Sequence, residues 1–288
     1  MVRSLYTAAS GMMAQQTQVD VISNNLANVN TTGYKTETAT FKSLLYQDLQ
    51  AKTTTANGEF KPVSAQVGLG SRVASITSQY VQGSANATDK NTDFMINGDG
   101  FFAVLDISGT VNYTRNGNFL FAMGPSDGAT GDADNEVSML CTMDGYPVLD
   151  IDGMPIVLGE IPDGSGKKYL PSQISIDADG NLCYPDASNN PAPIGIKIGL
   201  FQFSNPSGLA KVGNSYLQET EASGVALSEE YDEVGMRSTV KQGYLEASNV
   251  NVATEMVNLI TAQRAYELCS KAITTSDTMM EQANNLKR

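Results

Sequence analysis

The chain has 288 residues, 41% of them hydrophobic, a net charge of −13 and a pI near 4.4. A chain this acidic, with no cluster of Lys and Arg, repels phosphate backbones and anionic membrane surfaces, which argues against nucleic acid as a partner. It has no His to serve as base or metal ligand, and its Cys residues (Cys141, Cys183, Cys269) form no Cys-x-x-Cys pair, which argues against a zinc site or a disulfide framework.

The opening MVRSLYTAASGMMAQQTQ turns polar before an apolar run can form, so no cleaved secretory signal is expected. No later stretch approaches the roughly 20 apolar residues of a membrane helix, and direct membrane insertion is not expected. Residues 5–29 instead carry heptads. Leu5, Met12, Val19 and Leu26 stand seven apart, and Ala8, Gln15, Ile22 and Val29 form a second row. These are a and d positions, broken only by Gln15, and they predict an amphipathic helix. Gly11 weakens it by up to about 1 kcal/mol relative to Ala. Gly33 suits the left-handed position just past a helix C-terminus.

The stretch SNNLANVNTTGYK, residues 23–35, reads half as helix and half as turn. Its Asn24, Asn25, Asn28 and Asn30 suit either caps of a helix end or an uncharged polar layer packed against neighbours. Residues 46–84 are rich in Thr, Ser, Gln and Gly and read as an extended linker, although the alternation in SRVASITSQYV also suits a β-ribbon.

From 85 to 236 the pattern is all-β. FFAVLD, VNYTR, NFLFA, YPVLDIDG, QISIDADGNLCY and IKIGLFQF are short β-branched and aromatic runs. Turn signals lie between them, at Asn97-Gly98-Asp99-Gly100, Ser108-Gly109, Asn116-Gly117, Asp144-Gly145, Asp152-Gly153 and Asp179-Gly180. A barrel or sandwich of mainly antiparallel strands is expected. The Gly/Asp run within 123–138 reads as a surface loop.

Little in this middle region predicts chemistry. Calcium loops counted from Asp127 and Asp177 place Ser138 and Ser188 where a bidentate Glu is required. Gly-x-Gly at 98–100 and 164–166 lacks the strand–loop–helix setting of a phosphate loop. There is no Gly-x-Ser-x-Gly elbow, and no pair of carboxylates stands out as a glycosidase pair. No catalytic residue, cofactor or metal site is predicted.

The C-terminal segment returns to heptads. Val252, Leu259, Tyr266, Ile273 and Met280 are seven apart, and Met256, Ala262, Cys269 and Ala283 fill much of a second row. Ser248, Asn249 and Asn251 offer caps, Glu255 sits in the first turn, and Lys287 and Arg288 lie at the end. The simplest geometry pairs the two ends as a coiled coil. The expected fold is therefore α+β: a discontinuous coiled-coil domain (1–45 with 240–288), a linker or ribbon (46–84) and a mainly antiparallel β domain (85–236). Met13, Val21, Val257, Ile260 and Ala265 fall off the predicted seam, which implies further helical partners.

Three stretches carry a resemblance. RSLYTAASGMMAQQTQVDVISNNLANVNTTGYK (3–35) and the segment from Gly243 to Arg288 are similar to the terminal motifs of bacterial flagellar rod and hook proteins. NTDFMINGDGFFAV (91–104) and YTRNGNF (113–119) resemble the start of that family's first β domain. The length, the opening RSLYTAASGM and the extra residues at about 46–66 resemble the distal rod members most, with proximal rod and hook subunits as the nearer alternatives. A flagellum-associated wall-cutting hydrolase is the alternative from another class.

The resemblance implies a non-enzymatic subunit of the basal body, outside the cytoplasmic membrane. It implies polymerisation into a helical tube that transmits torque and carries the export channel, with terminal helices inside and β domain outside. The implied partners are further copies of the chain, the proximal rod, the hook, outer ring proteins and the flagellar type III export apparatus, which would pass the chain without a cleaved signal. Leu5, Met12, Val19, Ile22, Leu26, Val29, Val252, Met256, Leu259, Tyr266, Ile273 and Met280 are the expected packing residues. Asn24, Asn25, Asn28 and Asn30 are the expected polar layer. Isolated amphipathic helices are marginal, so these are expected to be unfolded in the free subunit.

Overall fold

Four chain crossings link two units in the computed structural model. A helical unit holds Met1–Asn28, Thr36–Gln79 and Val250–Arg288, and a β unit holds Val29–Lys35 and Tyr80–Asn249. The structure describes residues 2–50, 65–125, 136–159, 169–186, 190–232 and 235–286. The loop read at 123–138 and its calcium candidate fall largely outside these residues, as do Lys287 and Arg288. Terminal helices with a mainly antiparallel β unit between them are the α+β class the sequence predicts.

In the helical unit, α1 spans Val2–Ala27 and α2 spans Val252–Asn285. At 1.5 Å per residue they run about 39 and 51 Å. Asn251 caps α2, its side chain accepting from the Thr254 N–H at 3.3 Å. The end of α1 departs from expectation. Asn28 Nδ2 donates to the Asn24 carbonyl at 2.9 Å and to Asn24 Oδ1 at 3.0 Å, engaging the last turn with side-chain bonds. The helix stops at Ala27, so Gly33 is not its C-terminal glycine. Gly33, at φ +70°, belongs to the β unit, where a Cβ would lie 2.9 Å from the Arg115 carbonyl carbon. Only glycine fits that approach.

Residues 46–84 contain strands. Ser71–Ser78 pairs antiparallel with Glu37–Ser43, with an irregularity between Thr40 and Phe41, and Ala65–Gly68 pairs antiparallel with Tyr46–Gln50.

The β unit is built on a six-stranded antiparallel sheet. Its order is Ala210–Gly213, Tyr216–Gln218, Val111–Thr114, Phe101–Leu105, Leu200–Gln202 and Leu227–Ser228. The central run Phe101-Phe102-Ala103-Val104 is wholly buried because both faces of its strand are covered. Phe102 and Val104 join one core with Phe94, Phe119, Leu140 and Ile198. Phe101 and Ala103 join a second with Tyr113 and Phe203. Asn116-Gly117, expected as a hairpin turn, is instead a packing point. The strands either side of it enter different sheets, and a Cβ on Gly117 would overlap the Phe94 carbonyl.

Candidate assembly surface

Three contacts fix the register of α1 against α2. Ser4 Oγ and Ser276 Oγ share a hydrogen bond at 3.3 Å. A Cβ on Gly11 would lie 3.1 Å from Cys269 Sγ. Asn25 Nδ2 donates to Glu255 Oε2 at 3.1 Å. Each pair of residue numbers has the same total, so the helices are antiparallel and in step, and the same register sets Gln18 opposite Ala262.

The line of closest approach is therefore Ser4, Gly11, Gln18 and Asn25, a row of small and polar residues. The apolar row Leu5, Met12, Val19 and Leu26 lies one position away and is half-buried. Apolar periodicity located the helix but not its line of contact, because small residues let two helix backbones approach more closely than large ones. Gly11, read as a liability, is where Cys269 comes closest.

A second layer covers α1. Gly70, beside the Ser71–Ser78 strand, packs so tightly that a Cβ there would collide with Ser10 Oγ. Ala8, Ala14, Val21 and Ile22 are buried. In α2 only Glu255 and Ala262 are buried.

Asn25 joins three elements and is 1% exposed. Its Oδ1 accepts the Glu37 N–H at 2.9 Å, and its Nδ2 donates to the Glu37 carbonyl at 2.9 Å and to Glu255. It thus pairs with Glu37 as a neighbouring strand would, while supplying a donor to a buried carboxylate. Asn258 Nδ2 serves the other Glu255 oxygen at 3.3 Å. Both amide protons of Asn25 are used within the subunit. Asn24 is exposed and reaches Glu37 Oε2 at 3.4 Å. Asn28 is half-buried, and Asn30 is exposed in the β unit.

The far side of α2 is apolar and open. At 100° per residue, Met256, Val257, Ile260 and Leu268 lie opposite the row Glu255, Ala262, Cys269 and Ser276 that faces α1. They are 43% to 65% exposed. Val252 and Tyr266 are also exposed, although they share a heptad row with Leu259, Ile273 and Met280, which are half-buried near the seam. Among the described side chains of α1, the exposed large apolar residues are Tyr6 and Met13. Of the residues expected off the seam, Val21 is buried and Ala265 half-buried, while Met13, Val257 and Ile260 are open. Val29 lies in the β unit, half-buried.

Charge is unequally shared. The helical unit holds nine Lys and Arg against eight Asp and Glu, whereas the β unit holds nine against 23. Copies of a near-neutral unit can pack side by side without the repulsion that the acidic unit would bring.

The sequence is similar to those of known proteins. Residues 5–35 match the family described as flagella basal body rod protein. Residues 95–184 match the flagellar hook protein FlgE/F/G D1 domain, and 241–286 the flagellar basal body rod FlgEFG protein C-terminal. The flagellar basal-body rod protein FlgG of Borreliella burgdorferi is 42% identical over 290 residues, covering 100% of both chains. That of Bacillus subtilis is 36% identical over 288 residues, again covering 100% of both, and that of Caulobacter vibrioides 37%, covering 99% of each. Among solved structures, the Helicobacter pylori flagellar hook protein FlgE2 is 14% identical at a TM-score of 0.23, covering 67% of this chain and 47% of that one. With identity of this order along its whole length, the chain belongs to the flagellar basal-body rod and hook protein family.

Proposed function

We propose that the chain is a structural subunit of the distal rod of the flagellar basal body. It polymerises through its helical unit into a helical, torque-bearing tube. The observation that carries this is the apolar face of α2 turned away from α1, on a unit with almost no net charge. Burying one such Val, Leu, Ile or Met side chain against another copy contributes about 1.5–3 kcal/mol. A head-to-tail contact of this kind does not close, and it gives a filament.

In this reading the chain is not an enzyme. Its partners are further copies of itself, other axial proteins such as the proximal rod and hook, and the outer rings. It reaches its place outside the cytoplasmic membrane through the flagellar export apparatus without a cleaved signal. Asn24, Asn28 and Asn30 form the polar layer between copies, while Asn25 works inside each copy.

The test is Ile260→Asp together with Met256→Lys. Both positions are exposed, so each change alters subunit stability by no more than about 0.5 kcal/mol. Filament assembly, followed by sedimentation and electron microscopy, is expected to fail, and a strain carrying the variant is expected to lack rods beyond the proximal segment. Normal rods from the double variant would overturn the proposal.

A further inference from the structure

The β unit contains a buried ion cluster that the sequence does not advertise. Lys35, Arg115 and Glu246 come one from each of the three stretches that match the family, and their side chains are at most 5% exposed. Lys35 Nζ donates to Glu246 Oε1 at 2.6 Å and to the Val81 carbonyl at 2.9 Å. The Gly83 N–H donates to the same Oε1 at 2.8 Å. Arg115 Nη1 reaches Glu246 Oε2 at 3.4 Å. Its Nε donates to the Gly100 carbonyl at 3.1 Å, its Nη2 donates to the Gly98 carbonyl, and its guanidinium lies 5.2 Å from the Phe101 ring centroid.

Main-chain bonds join the same segments. Gly33 N–H donates to the Glu246 carbonyl at 2.9 Å, Asn249 N–H to Tyr34 at 3.4 Å, and Ala247 N–H to Ser84 at 2.9 Å. Asn249 Nδ2 donates to the Val81 carbonyl at 3.1 Å. A Cβ on Gly83 would overlap the Ala247 carbonyl, so the approach tolerates no side chain.

These segments, 33–35, 81–84 and 246–249, are the last stretches of the β unit before the crossings at 35/36, 79/80 and 249/250. One carboxylate between two cations holds all three. Burial, and then the nearby Arg115 charge, lower the Lys35 pKa, while Glu246 opposes them. The pair is thus strained by desolvation and depends on Glu246 for its charge balance.

We propose that Lys35, Arg115 and Glu246 form a clasp that fixes the roots of both terminal segments as one piece, so that neither root opens while the other stays closed. The clasp rests on the β unit alone and stands whether or not the chain forms a rod. In the rod reading, it is where load carried by the terminal segments enters the β unit.

Hydrogen exchange on the full-length chain tests this. Glu246→Gln removes the one carboxylate bonded to both buried cations. It is expected to speed exchange at the Gly33 and Asn249 amides together, at least about tenfold, although neither amide bonds to the replaced side chain. The Val148 and Ile156 amides of the central core are expected to stay unchanged. Should Glu246→Gln not fold, Lys35→Met removes one cation, leaves Glu246 paired with Arg115, and is expected to move the same two amides. A rise at one root without the other in the folded variant overturns the proposal. So does no rise at either, or an equal rise at Val148, which would mark a general stabiliser and not a clasp.

Discussion

The two units bury different material. Of the twelve largest side chains that are less than 2% exposed among the described residues, eleven lie in the β unit and only Ile22 in the helical unit. The β unit closes its cores with aromatic and branched residues and needs no partner to do so. The helical unit meets along small and polar residues and leaves Met256, Val257, Ile260 and Leu268 of α2 outside. That difference teaches how one chain can hold a closed β unit and still present an open apolar face. In the proposed rod, folding of the β unit and assembly through α2 draw on separate sets of side chains.

The comparison is broken most plainly by proteolysis of the dilute, full-length subunit, read by intact mass. Trimming of both terminal helices to a resistant core within 29–249 is expected, since helices with few buried contacts open far more readily than a closed core. A fully resistant chain would mean that the α1–α2 pair is as firm as the β unit. Next in size is Phe102→Ala. Its side chain is fully buried in the core on one face of the central sheet, and its loss is expected to lower stability by about 3–5 kcal/mol in thermal or denaturant unfolding.

Asn25 probes the polar heart of the helical unit. Asn25→Ala removes three hydrogen bonds, two to the Glu37 main chain and one to the buried Glu255, and is expected to cost about 1–3 kcal/mol of helical-unit stability. Asn25→Asp keeps the shape but sets a carboxylate against Glu255, and a larger loss is expected. Equal losses from the two variants would show that Asn25 fills space and does not donate to Glu255. The smallest effect is expected at Gly11. The gain in helix propensity from Gly11→Ala, up to about 1 kcal/mol, is offset by the approach to Cys269. The same change in a Cys269→Ala background is expected to show the gain in thermal unfolding of the helical unit.

Both helices, the antiparallel β region and the membership of a flagellar family were legible in the chain itself. Heptad spacing at 5–29 and 252–280 and β-branched runs with Gly turns are local signals, set by how side chains repeat along a helix or a strand. The run FFAV was legible as a strand, though not as one buried on both faces. Gly33 and Gly117 were legible as special positions, but their reasons were not. Both are required by atoms distant in sequence, the Arg115 main chain and the Phe94 carbonyl.

Which residues meet was left to the tertiary structure. The apolar rows predicted a seam through Leu5, Met12, Val19 and Leu26, and the fold set the contact line one residue away, through Ser4, Gly11 and Asn25. Likewise Asn25, Glu255, Lys35, Arg115 and Glu246 are ordinary polar residues in the sequence. Their roles exist only because the fold buries them within reach of one another, where an unpaired charge or amide is costly and a paired one is specific. Pattern along a chain reports each residue's preference for water. Partnership depends on which distant residues share its burial, and that is decided by topology.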